Sequence, residues 1–282
     1  MSELLPFPGQ PADVAWPTEA WPTGEPADAA RVHDLVEALF VDPAPEQFGH
    51  TNVLLVVHEG RLVVERYGTW RVRELEALAG KQPGPVLATD RLLSWSMAKS
   101  VTHLAVGIAV GDDALAIADR PPVPEWSDPS DPRGAITWDD LLAMRPGLQW
   151  TEEYYEFAGD ELPDVITMLY GEGQADMAAF AAGFPLVTEP GSPEAYNYSS
   201  GTTNIVAAAL QRTLGLDEAG MRQFLEERLF APIGITGADP RFDAAGTFVG
   251  SSYLYLTSQD WARFGLLALR GGEWDGTPIV PH

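Results

Sequence analysis

The sequence contains no cysteine. This excludes thiol nucleophiles, disulfides and thiolate metal sites, without fixing the compartment in which the chain works. Lysine is nearly absent too: Lys81 and Lys99 are the two present, and arginine carries the other basic charge. With 41 acidic against 17 basic residues, the net charge is −24. So acidic a surface repels phosphate, which argues against nucleic acid and anionic membranes as partners. No apolar run approaches the roughly 18 residues of a membrane span. The N-terminal MSELLPFPGQPADVAWP lacks the basic start and apolar run of a secretory signal, so a cytoplasmic location is expected. Several catalytic signatures are also missing: HExxH, the GxSxG elbow, GxGxxG and GxxxxGK[ST]. The five histidines, at 33, 50, 58, 103 and 282, have no ligand spacing. His103, in an apolar stretch, reads as a satisfied core histidine rather than a base. No metal and no cofactor are expected.

At 45% apolar residues, the chain can bury a real core. Residues 1–27 form a proline-rich arm with an echo at Trp16-Pro17-Thr18 and Trp21-Pro22-Thr23, two tryptophans suited to pinning it down. Val32, Leu35, Val36, Leu39 and Phe40 recur at helical spacing. Two β-rich runs, 52–58 and 61–67, flank Glu59-Gly60 and predict a hairpin. Residues 71–90 and 111–135 read as loops, and 96–110 as a largely buried helix. Thr137 to Asp140 has capping-box spacing. Helical patterns follow at 174–182, 203–213 (closed by Gly215) and 218–229. Residues 252–257 alternate like a strand, and Ser258 reads as the N-cap of a helix to Arg270, stopped by Gly271. The expected organisation is an arm over 1–27, an α/β domain from 28–110 and 216–282, and a helical domain over 111–215.

Chemistry concentrates at Ser96-Met97-Ala98-Lys99. With 12 serines and two lysines, chance alone supplies about 0.09 Ser-x-x-Lys pairs in a chain of this length. Residues three apart share a helix face, so the amine can reach the hydroxyl. Burial lowers a lysine's pKa and makes it a base near neutrality, which arginine cannot become. A serine at a helix N-terminus also feels the positive end of the dipole. The structural alternative is a serine N-cap with a snorkelling lysine. A second element, Pro190-Gly191-Ser192-Pro193-Glu194-Ala195-Tyr196-Asn197-Tyr198-Ser199-Ser200-Gly201, brings a tyrosine to the start of a helix. There its phenol can move a proton, or simply pack as a loop aromatic.

Together these elements resemble the β-lactamase-related serine hydrolases, the superfamily of class C β-lactamases, D,D-peptidases and esterases. The 6-aminohexanoate-dimer hydrolase branch looks most similar. The likeness runs through the Trp-Pro arm, LLVVHEGRLVVERY, SWSMAKSVTHLAVG, ITWDDLLAMRPGLQW, EPGSPEAYNYSSGTTNIVAAAL and VGSSYLYLTSQDWARFGLLALRGGEWDGTPIV. It implies an α/β (α+β) fold like that of β-lactamases and penicillin-binding proteins, with an antiparallel sheet, flanking helices and an all-helical insertion. It also implies that Ser96 is acylated by a small-molecule ester or amide, with Lys99 and Tyr198 moving protons and the Ser96 N–H contributing to an oxyanion hole.

Two departures qualify these implications. The family's Tyr-x-Asn element has Ser200 at its third position, which points toward esters or small amides rather than β-lactams. Tyr196 is the fallback tyrosine if the loop is shifted by two residues. The family's later Lys/His-x-Gly element has no match before His282, so the chain is expected to be truncated, with C-terminal strands missing. A catalytically silent ligand-binding protein of the same fold, or an inactive fragment, is the alternative.

Overall fold

The computed structural model describes residues 6–41, 49–71, 84–152 and 162–280. Lys81, His282 and most of the expected 71–90 loop lie outside them. The chain divides into two compact units. The first holds 1–92, 232–236 and 256–278, and the second 93–231, 237–255 and 279–282.

In the first unit, α1 (Ala29–Glu37) begins where the Asp28 carboxylate accepts the Arg31 N–H. The expected hairpin is β1 (Val53–His58) against β2 (Arg61–Tyr67), antiparallel, with a register shift at Val56/Val57. Its two turn residues both take positive φ, 48° at Glu59 and 76° at Gly60, the twist that two-residue hairpin loops require. The arm lies along β2, with Leu62 donating to Pro22 and Gly24 to Leu62. Both tryptophans anchor it. Trp16 packs on Trp274 with ring centroids 4.9 Å apart, and Trp21 donates to the Gln259 carbonyl. A buried ion pair holds the intervening turn, since Arg263 donates both to Asp260 and to the Pro17 carbonyl.

The late helix of this unit, 258–269, starts one residue earlier than its sequence suggests. Its N-cap is Thr257, not Ser258, because the Thr257 hydroxyl accepts the Asp260 N–H while Ser258 meets the Tyr67 hydroxyl instead.

The second unit is mostly helical. A 3-10 turn, Trp95–Met97, leads into α2 (Ala98–Gly111), so the helix expected from residue 96 begins at 98. The cause is the commitment of Ser94, whose N–H donates to Leu254 and whose hydroxyl donates to Ser252. The chain must then turn sharply, and Trp95 takes a φ of +44°. The capping box is present: Thr137 and Asp140 exchange side-chain-to-backbone bonds at α3 (Trp138–Leu142). α4 (Asp164–Tyr170) has no clear signature in the sequence. α5 (Met177–Ala182) is capped by Asp176. α6 (Ser200–Leu214) starts three residues earlier than its apolar pattern, because Ser199 caps it, and it ends at Gly215 with φ +65°. α7 (Glu218–Leu225) follows. A short antiparallel pairing sets Asp239 against Tyr255 and Pro240 against Leu254. α6 is buried along most of its length and forms the centre of this unit's core.

His103 is exposed on α2, although desolvation of part of its ring lowers its pKa. It is therefore not the core histidine that the apolar stretch suggests.

Candidate active site

The site lies within the second unit, at the N-terminal turn of α2. Ser96 is exposed in the 3-10 turn, while Lys99, the first-turn residue behind it, is only 6% exposed. Lys99 can be buried because all three of its ammonium hydrogens have acceptors. Nζ donates to Ser96 Oγ at 3.2 Å, to Ser200 Oγ at 2.8 Å and to the Ser251 carbonyl at 3.1 Å. Burial depresses its pKa from the usual lysine value to about 8, while the Glu152 carboxylate pulls in the opposite direction. The Tyr198 ring lies over the amine, 4.9 Å from Nζ to the ring centroid.

Each acceptor is held in place by its own local structure. The Ser251 carbonyl sits on a segment tied to two helices. The Ser251 N–H donates to Asn204 on α6, and the Gly250 carbonyl accepts from Thr102 on α2. A Cβ at Gly250 would come within 2.3 Å of Thr102 Oγ1, so glycine permits this approach. Ser200 is the first residue of α6, and its N–H has no partner within the helix. Glu152 supplies one: Oε2 accepts the Ser200 N–H at 2.8 Å, and Oε1 accepts the Ser200 hydroxyl at 2.5 Å. A negative charge at this helix end is also favoured by the dipole. The Trp150 indole N–H donates to Glu152 Oε2 at 2.7 Å. Trp150 in turn packs on α6 at Gly201, where an added Cβ would stand 2.7 Å from the indole ring. The loop carrying Tyr198 is fixed by Asn197, whose N–H donates to Met144 and whose side chain donates to the Trp150 carbonyl.

The structure thus brings together Ser96, Lys99, Tyr198 and Ser200, drawn from two distant stretches of sequence. Tyr196, the fallback, stands in solvent at 63% exposure. Sequence reasoning missed Glu152, Trp150 and the Ser251 carbonyl. Glu152 follows the matched ITWDDLLAMRPGLQW stretch by two residues and carries no local signature. A main-chain carbonyl has no signature at all.

A family model described as Beta-lactamase matches residues 43–273. The chain belongs to the β-lactamase family. Members of this family are serine hydrolases. Solved structures share the fold at low identity. A Bacillus anthracis protein assigned as a 6-aminohexanoate-dimer hydrolase is 19% identical with TM-score 0.65, the match covering 98% of this chain and 68% of that one. A Bacteroides dorei protein assigned as a β-lactamase is 17% identical with TM-score 0.61, covering 90% and 66%. A penicillin-binding protein homologue of Caulobacter crescentus is 18% identical with TM-score 0.61, covering 92% and 74%. The chain therefore spans roughly two thirds of the length of the first two. No curated protein sequence matches it. The fold is that of β-lactamases and penicillin-binding proteins. No described helix is long and apolar enough to cross a membrane.

Proposed function

We propose that this chain carries the catalytic serine of a hydrolase that cleaves an ester or amide bond of a small molecule through an acyl-enzyme on Ser96. The observation that carries the reading is the 3.2 Å approach of a buried lysine, with its pKa near 8, to an exposed serine hydroxyl. A lysine so placed is neutral in a useful fraction of molecules near neutrality and can take a proton.

In the forward step, Ser96 Oγ attacks the substrate carbonyl carbon while its proton passes to Lys99 Nζ. The tetrahedral oxyanion is met by the Ser96 N–H near the positive end of α2. Collapse expels the alcohol or amine, which receives a proton from Lys99 or through the Tyr198 hydroxyl. Water then attacks the acyl-enzyme by the reverse route. Trp95, Met97 and Tyr198 expose apolar surface around Ser96, at 48%, 49% and 41%, which suits a substrate with an apolar portion. Ser200 in place of the family's asparagine favours esters or small amides over β-lactams.

The test is covalent labelling with a fluorophosphonate in the intact protein. Ser96 should carry the adduct, and labelling should disappear in Ser96→Ala and fall at least a hundredfold in Lys99→Ala. A wild-type protein left unlabelled under conditions that label a related esterase would refute the reading.

A further inference from the structure

The hydrogens around Lys99 can be assigned one by one, and they give Glu152 a role. An ammonium has three hydrogens, and the three acceptors on Lys99 use them all. A neutral amine has two hydrogens and one lone pair. For Lys99 to act as a base on Ser96, the two hydrogens must go to the other two acceptors. The Ser251 carbonyl can only accept. Ser200 Oγ is different, because a hydroxyl also donates. If it donated to Lys99, it would occupy the lone pair and disable the base. The 2.5 Å bond from Ser200 Oγ to Glu152 Oε1 removes that option, because the single hydroxyl hydrogen is already committed. The carboxylate is itself fixed by the Ser200 N–H and the Trp150 indole, so its acceptor atom is aimed rather than free to wander.

We propose that Glu152 is a positioning residue: by binding the Ser200 proton it keeps that hydroxyl an acceptor, and so turns the lone pair of neutral Lys99 toward Ser96 Oγ. This rests on the reading of Ser96 as nucleophile. It gives Ser200 a function of its own, since a serine supported by a carboxylate presents lysine with a pure acceptor. The charged and titratable groups facing Lys99 among the described residues are Glu152, from the loop after α3, and Tyr198, from the loop before α6. Glu152 therefore acts in two ways that a variant separates. Its geometry raises the rate of the neutral-lysine form, and its charge favours the ammonium.

The experiment combines a labelling rate with a spectroscopic titration. Two lysines in the whole chain make 13C-lysine NMR simple to read, with Lys81 as an internal control. In Glu152→Gln, the fluorophosphonate labelling rate on its high-pH plateau should fall about tenfold, a part of what a positioned base supplies. The Lys99 midpoint should move below its wild-type value near 8, because the carboxylate's attraction is gone. Ser200→Ala should lower the plateau similarly. The double variant should be no slower than the slower single one, as expected for residues acting in series. Thermal melts confirm that each variant is folded, and Ser200→Ala stands alone if Glu152→Gln does not fold. Plateau rates within twofold of wild type, or losses that multiply in the double variant, would overturn the proposal. A Lys99 midpoint unmoved by Glu152→Gln would overturn it as well. A moved midpoint in a wild-type background that never labels at Ser96 refutes the hydrolase reading and leaves the Glu152–Lys99 coupling standing.

Discussion

Burial and charge compete at Lys99, and burial is the larger effect. The result is a lysine whose titration falls near pH 8 instead of above 10. In the proposed mechanism the base is deprotonated Lys99, so Ser96 acylation should rise about tenfold per pH unit below that point and level off above it. Measured as fluorophosphonate labelling rate against pH, a limb near 8 is the expected outcome. A limb above 10 would mean that Lys99 is solvated in solution. At the same scale, Trp95 is a non-glycine residue at φ +44° directly before Ser96. Such backbone is costly for an aromatic residue and persists where surrounding bonds over-determine it, here those of Ser94.

At the scale of elements, the helix termini do the positioning. The Thr137–Asp140 capping box starts α3, whose C-terminal end leads through Met144 to Trp150 and Glu152. Thr137→Ala removes the side-chain bonds at the cap and should cost about 1 kcal/mol, read from a urea unfolding midpoint. Gly201 gives a sharper test. On helix propensity alone, Gly201→Ala would stabilise α6 by up to about 1 kcal/mol. The new methyl, however, would sit 2.7 Å from the Trp150 ring and 2.8 Å from the Ala181 side chain, both tightly packed. Overpacking of this kind costs about 1–3 kcal/mol, so the net change should be destabilising. Labelling of Ser96 should slow with it, since Trp150 holds Glu152. Greater stability in this variant would mean that Trp150 moves freely.

For the molecule as a whole, the dominant fact is charge. A net of −24 makes acidic groups repel one another in the folded state. Salt shortens the Debye length from about 30 Å at 0.01 M to about 8 Å at 0.15 M and weakens that repulsion. The melting temperature should therefore rise over this range, as checked by a thermal melt at fixed pH. A falling melting temperature would show that the surface ion pairs, such as Arg228–Asp112 and Arg61–Asp13, outweigh the repulsion.

What the sequence determined by itself was local. Hairpin, capping box and the Gly215 stop are legible because each depends on neighbours within a few residues, through turn twist, side-chain reach or a left-handed φ. The Ser96–Lys99 pair is legible for the same reason, and the scarcity of lysine set it apart. Tertiary structure decided where competing bonds pull a residue out of its local pattern. Ser94 moved the start of α2, and Ser199 moved the start of α6. It alone brought Glu152, 48 residues from Ser200, and the Ser251 carbonyl, 152 residues from Lys99, into hydrogen-bond range. No spacing encodes such contacts, because they depend on how distant segments pack around α6 and not on separation along the chain.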